Sequence, residues 1–365
     1  MLNISPYLYS FIYYHFILLI ILFTIYQLNS GKYKGQAKRN SVFIFTLLTL
    51  FFIGLRPYNV PGVGHYFGDT INYYHSFLRL SSGEHLKDSN DYGFNLLTRF
   101  CAENMSAQAY FFILTVLYIL PLYFACKRLS FDYTFLLFLA ITASFLFWSS
   151  AVNGIRIGIA TSFFLLAITF KDKKWLMFLL LMVAISFHKS ILLPVIALII
   201  SWYYTNSKVY IAIWFASIIL SLLFQGFWEI FFASLNLGDK RFDSYLTTKV
   251  DATVFAYTGF RWDFLIYSFI PVILGSYYIF KKQYRTELYS QLFNTYLLTN
   301  SFWILIIRSN FSNRFASLSW FIIPILLIYP LLKAQIWVKQ EANISLILFL
   351  SYAFTYFMAF NLLWK

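Results

Sequence analysis

Charge is what this chain has least of. Only 12% of its 365 residues are Asp, Glu, Lys or Arg, against roughly a quarter in an ordinary soluble domain. A water-soluble fold of this length would lack the ionic surface it needs, so that class is excluded. Cysteine is scarce as well. Cys101 and Cys126 are the two present; they flank one expected helix and so face opposite sides of a membrane, which excludes a disulfide between them and a thiolate metal centre. The sequence contains no P-loop, dinucleotide fingerprint, HExxH or GxSxG. ATP-driven transport and the common hydrolase designs therefore find no support. No repeat period of roughly 20–50 residues is visible, which removes repeat arrays. The N-terminus has no basic run and no small-residue cleavage site follows Leu28, so the first apolar segment reads as an uncleaved anchor.

What the chain has is apolar length. Hydrophobic residues make up 60% and aromatic residues 23%. Runs such as Leu8 to Leu28 match the ~20 residues a helix needs to cross the hydrocarbon layer. They do not alternate as barrel strands do, and a spanning helix satisfies its backbone internally. The expected fold is all-α, a polytopic transmembrane helical bundle of about 12 spans (10–12). The segments run roughly 8–28, 41–55, 107–125, 132–150, 152–170, 175–187, 190–204, 209–232, 262–280, 292–307, 315–332 and 344–363. Residues 1–365 form a single integral-membrane domain in this reading, with sizeable loops at about 56–106 and 233–261.

The basic residues orient it. With both termini on the outer, periplasmic side, every inside loop is positive, as cytoplasmic loops are. The inside set is twelve lysines and three arginines against four acids, whereas the outside set is eight arginines and five lysines against ten acids. The net charge of +14 is therefore mostly a topology signal, not a nucleic-acid footprint. Topology does not distinguish Lys from Arg, but phosphate recognition does, because a planar guanidinium offers a bidentate fork. Arg56, Arg156, Arg241, Arg261, Arg308 and Arg314 fall at or near expected outer helix ends. Taken as a set they point to an anionic ligand. Pairing with outer carboxylates such as Asp69, Asp243 and Asp263 is the plainer alternative for any one of them.

Several places can carry chemistry. Arg156 lies about five residues inside segment 152–170, flanked by Asn153, Gly154 and Gly158. An ionised group at membrane depth normally faces a cavity or a partner, although snorkelling to the surface is the alternative. His188 closes the apolar run Leu176 to Phe187, and a neutral imidazole is a suitable base near pH 7; a packed or solvated helix-end histidine is the alternative. Asp69, followed by Thr70 and Tyr73, is either a helix N-cap or a sugar-binding acid among aromatics. Arg241, Asp243 and Tyr245, then Arg261, then Arg308 and Arg314 pair cations with aromatic and small polar side chains. An aromatic belt with snorkelling cations explains such pairs equally well. His65, Asp69, His75 and His85 have no metal-ligand spacing, so no metal site is expected.

Taken in order, these residues resemble the EpsG-like branch of the Wzy-type O-antigen or exopolysaccharide polymerases. The likeness is carried by Arg56, Gly68-Asp69 and Tyr73; by Gly93-Phe94 with Leu96 and Leu97; by Arg156-Ile-Gly-Ile-Ala; by Phe187-His188-Lys189-Ser190; and by Asn313-Arg314-Phe315. Asp91-Tyr92 stands where that pattern has a Glu-Pro-like pair. The resemblance implies a GT-C-like glycosyltransferase architecture in a bacterial inner membrane, with the active site facing the periplasm. It implies transfer of a growing glycan from polyprenyl (undecaprenyl) diphosphate to a new lipid-linked repeat unit, without metal or other cofactor, as in lipopolysaccharide assembly, and with a chain-length regulator as a further partner. On that footing Arg156, Arg241 and Arg314 hold the diphosphate, with Arg56, Arg261 and Arg308 behind them. Asn153, Tyr73 and Tyr245 contact substrate, and His188 or Asp69 is the base. A flippase for the same lipid-linked oligosaccharide and an outer-face O-acyltransferase are the rival readings.

Overall fold

The computed structural model describes residues 4–33, 39–84, 91–224, 226–234, 259–310 and 312–363. Helix accounts for 81% of it, and no strand occurs among the described residues. The chain divides into two compact units, Met1–Lys189 with Leu331–Lys365, and Ser190–Pro330.

The first unit opens with α1 (Pro6–Asn29), where Ser5 caps the first turn by accepting from Leu8 N–H and Pro6 occupies the first helical position, which needs no amide donor. Its buried residues Tyr9, Tyr13, Ile17, Ile21, Thr24 and Leu28 recur every three or four positions. Leu19, Leu22, Phe23 and Tyr26 on the other faces are exposed. A helix apolar on all sides with one buried stripe is what a lipid-facing span looks like. It is followed by α2 (Arg39–Gly54). The region expected as the loop 56–106 folds instead into three short helices, α3 (Val63–Phe67), α4 (Thr70–Ser81) and α5 (Tyr92–Asn104). Thr70, Tyr73 and Phe77 form the buried edge of α4, and Phe94, Thr98, Cys101 and Ala102 that of α5. Such stripes recur at helical spacing but are too short for hydropathy alone to reveal.

Next come α6 (Ala107–Leu129), α7 (Thr134–Thr142), α8 (Phe145–Val152), α9 (Ile155–Ile168) and α10 (Lys174–Phe187). α6 packs between α2 and α9, and α9 packs on α10. Cys101 and Cys126 are buried free thiols. Segment 132–150 is not one rod: α7 and α8 meet at 69°, at a break where the Ser144 hydroxyl donates back to Ile141 O at 2.7 Å. Serine bonding to the preceding turn competes with helix continuation. A second break at Asn153-Gly154 starts α9 at Ile155. Arg156 therefore sits in the first turn of α9, not several residues inside a continuous span.

The second unit holds α11 (Leu192–Tyr203), α12 (Ser207–Leu223), α13 (Phe227–Ser234), α14 (Trp262–Ser276), α15 (Glu287–Leu305) and α16 (Ser312–Trp320). α15 is its centre, packed against α11, α12 and α16. Asn300 on α15 is fully buried and is used at both ends. Its Oδ1 accepts from Trp214 Nε1 at 2.7 Å, and its Nδ2 donates to Ser268 Oγ at 3.3 Å and Ser319 Oγ at 3.0 Å. Trp320 Nε1 closes the network on Ser268 Oγ at 2.8 Å. One amide thus joins α12, α14, α15 and α16. α17 (Ile323–Lys333) and α18 (Gln340–Leu363) end the chain, and α18 packs on α1 and α8 in the first unit.

This is a multi-pass membrane protein. Five helices are long and apolar enough to cross a bilayer, or seven if the bent pairs α7–α8 and α12–α13 each count once. The apolar stretches at α2, α9, α10 and α11 run only 10–17 residues, so length and composition support five to seven spans and do not establish twelve.

Asn300→Ala would leave the Trp214 indole N–H without its acceptor in an apolar interior and remove the donors that tie Ser268 and Ser319 to α15. The expected cost is about 1–3 kcal/mol, read as a lower unfolding midpoint in detergent. An unchanged midpoint would show that the network is dispensable.

Candidate active site

The break between α8 and α9 creates the site. Its exposed backbone is met by the α3–α4 junction, where Asp69 N–H donates to Asn153 Oδ1 at 2.9 Å and the Thr70 hydroxyl donates to Val152 O. Gly68 makes that approach possible. Its φ is +54°, and a Cβ there would collide with the Asn153 side chain, so both conformation and space demand glycine. Asp69 occupies the N-cap position of α4 without capping it; its Oδ1 accepts from Asn72 Nδ2 at 3.0 Å. Asn153 is thus a structural clasp between two helix ends.

One turn beyond Asp69, Tyr73 is buried on α4, and Phe94 is buried on α5. Their rings lie 5.8 Å each from the Arg156 guanidinium carbon, within cation–π range. Asp91, the residue before α5, completes the cluster. It is 1% exposed, and its Oδ2 receives Arg156 Nη1 at 2.6 Å. Its Oδ1 accepts Lys189 N–H at 3.1 Å. His188 ends α10 in an extended conformation (φ −155°, ψ 108°), which turns Lys189 N–H to Asp91 and leaves His188 Nδ1 at 3.6 Å from Asp91 Oδ2. α5 can lie this close to α10 because residue 93 is glycine; a Cβ there would strike Ser186. One carboxylate therefore gathers the start of α5, the start of α9 and the end of α10. Arg156 and His188 remain 20% and 21% exposed, so the cluster is open on one side.

Burial works against an ionised Asp91, but contact with His188, the charge of Arg156 and the Lys189 amide outweigh it and hold the carboxyl well below the ordinary carboxylate range. Asp91 is an anion at any physiological pH. Arg156 keeps Nε without a hydrogen-bond partner, as does His188 Nδ1. An anchored guanidinium and an imidazole facing a fixed carboxylate suit anion binding and proton transfer.

The sequence-expected residues divide. Arg156, His188, Asp69, Asn153 and Tyr73 belong to this neighbourhood. Arg56 lies in the same unit but is fully buried. It donates to Ile53 O at 2.9 Å and Thr115 Oγ1 at 3.5 Å and stands 5.1 Å from the Phe111 ring. Burial pulls its pKa down to about 10, so it stays charged inside the core. The others belong to the second unit. Arg261 forks both Asp263 oxygens at 2.9 and 2.6 Å and lies over Phe264 at 3.6 Å, which is the carboxylate-pairing alternative. Arg308 donates to Ser221 O at 2.7 Å and faces the Phe260 ring at 4.9 Å. Arg314 lies in the first turn of α16, half-buried, its carbonyl accepting from Ser317. Arg241, Asp243, Tyr245 and His85 fall outside the described residues. No group of three or more His, Cys, Asp or Glu side chains that could hold a metal ion occurs among the described residues.

Asp91 is the residue the sequence reading missed. Its signal was present: it is the acid immediately before Gly93-Phe94, where the resemblance leads one to expect a Glu-Pro-like pair. Glu229, buried on α13 in the field of Arg308, was passed over too.

The model of the EpsG family matches residues 41–364. No curated protein and no solved structure matches.

Asp91→Asn should lower stability by about 3 kcal/mol, because it strands part of a buried ion pair. A depressed folded-state pKa contributes stability that is complete above the unfolded value near ~4 and is lost as pH falls through the folded one. The melting gap between wild type and variant should therefore stay constant from about pH 7 to pH 5 and close only below about pH 4. A gap that shrinks by pH 5 would mean that Asp91 is not held ionised by its partners.

Proposed function

The chain belongs to the EpsG family, a Wzy-like polymerase family, and we propose that it transfers a growing glycan from polyprenyl diphosphate to a new lipid-linked repeat unit at the outer face of a bacterial inner membrane. What carries the reading is the cluster of Asp91, Arg156 and His188: a cation and an imidazole, both partly open, fixed by one buried carboxylate.

The reaction has two electrostatic needs. Breaking the C–O bond to the diphosphate leaves negative charge on the departing oxygen, and a preorganised cation in a water-poor site stabilises it. Arg156 is that cation. The acceptor hydroxyl must also lose a proton, and His188 is the base, set within reach of an ionised carboxylate as histidine bases commonly are. Tyr73 and Phe94 shape the wall behind Arg156 and offer ring faces to a sugar. Asp69, whose backbone serves the Asn153 clasp, is a hydroxyl ligand of the sugar, second to His188 as base. The chemistry asks for no nucleotide sugar.

Purified protein supplied with undecaprenyl-diphosphate-linked repeat units and a chelator should build a ladder of polymer. Arg156→Ala and His188→Ala should lose it by on the order of 10²-fold or more while expression and insertion persist. In cells, these variants should leave single repeat units displayed, whereas loss of a flippase leaves none. Normal ladders from both variants would remove the polymerase reading, and absence of displayed single units would favour the flippase.

A further inference from the structure

Two side chains address one oxygen of Asp91. Arg156 Nη1 holds Oδ2 at 2.6 Å, and His188 Nδ1 waits 3.6 Å from the same atom, roughly 0.6 Å beyond ordinary hydrogen-bond length. The second oxygen is committed to Lys189 N–H. His188 Nδ1 is shielded from solvent and has no hydrogen-bond partner, an arrangement that costs free energy unless another state of the site satisfies it. Asp69 and Tyr73 on α4 and Tyr110 on α6 also lie within the field of Arg156, and Lys189 adjoins Asp91 through its backbone.

We propose that Asp91 is a positioning residue shared by turns: it holds Arg156 until the lipid diphosphate of the donor draws that guanidinium away, and then passes to His188. This deepens the polymerase reading and rests on it. Charge balance is the reason. Paired as they are, the buried carboxylate and the guanidinium compensate each other, which avoids a stranded ion. A diphosphate carries more negative charge than Asp91 and takes the guanidinium bidentately, leaving the carboxylate in need of a cation. His188 becomes that cation during the reaction. The acceptor hydroxyl gives its proton to the imidazole nitrogen away from Asp91, and its oxygen forms the new bond to the anomeric carbon. The bond from that carbon to the diphosphate breaks, with the electron pair staying on polyprenyl diphosphate. Asp91 fixes the Nδ1–H tautomer at the start and balances the imidazolium at the end. The base is thus strengthened only when the donor is in place, and idle hydrolysis is held down.

The test separates binding from turnover. Polyprenyl diphosphate without sugar is the binding probe, followed by tryptophan fluorescence on purified protein in detergent below its melting temperature. Ladder synthesis from lipid-linked repeat units gives turnover. Asp91→Asn frees Arg156, so it should bind the probe at least as tightly as wild type, up to about tenfold tighter, while turnover falls on the order of 10²-fold. Asp91→Glu keeps the charge, so it should bind within about threefold and recover turnover to within about tenfold of wild type. Parallel loss of binding and turnover in Asp91→Asn, or a glutamate variant as inactive as the asparagine one, would overturn the proposal. If Asp91→Asn does not fold, the glutamate variant decides alone: binding with at least a tenth of wild-type turnover supports the hand-over, and loss of both overturns it. A wild-type protein that binds the probe but builds no polymer would sink the polymerase reading instead.

Discussion

The first unit depends on a buried carboxylate that cannot be left alone. Asp91 is almost wholly removed from solvent, and an ionised carboxylate in that position is tolerable only with close partners. Arg156, the Lys189 amide and His188 supply them from two other helices. Every local oddity nearby serves that meeting. The helix break at Asn153-Gly154 brings Arg156 to the first turn of α9; the extended backbone at His188 turns an amide inward; Gly68 and Gly93 remove side chains from two close approaches. The helices are held by ordinary apolar packing, and the ionic contact fixes their ends relative to one another.

The second unit solves a similar problem without charge. Asn300 is as deeply buried as Asp91, yet its two donors and its acceptor are matched by neutral partners on three other helices. A satisfied neutral amide rigidifies and carries little electrostatic field, whereas an ion pair that is partly open retains a field that a ligand can exploit. The contrast separates a closed polar cluster from one that is still open on one side. It also sorts the arginines. Arg261 is saturated by Asp263 and Arg56 is sealed in the core, while Arg156 is both anchored and accessible.

Much of the fold was legible from composition and run length, because lipid exposure imposes a requirement on every residue of a span. α1, α6, α14 and α18 begin and end close to where the apolar runs do. The short helices between residues 56 and 106 were not legible: each buries only two to four side chains, too few to stand out in a hydropathy pattern. The break at Ala143-Ser144 was hidden for a related reason, since both residues are small and either continue or end a helix according to what packs beside them. Of the site, Arg156 and His188 were visible as costly polar residues at helix ends. Asp91 was not, because an acid at the end of a polar stretch looks solvated until the fold buries it.

The sequence by itself determined that this chain is a helical, multi-pass membrane protein of the EpsG kind, since scarcity of charge, apolar run length and a handful of short motifs are one-dimensional quantities. Only the tertiary structure decided how each cation is paired and how far it is buried. Asp91 and Arg156 lie sixty-five positions apart, and Asp91 and Lys189 ninety-eight. At such separations a pairing is set by how helices pack and where they break, and neither is written in the local spacing of residues.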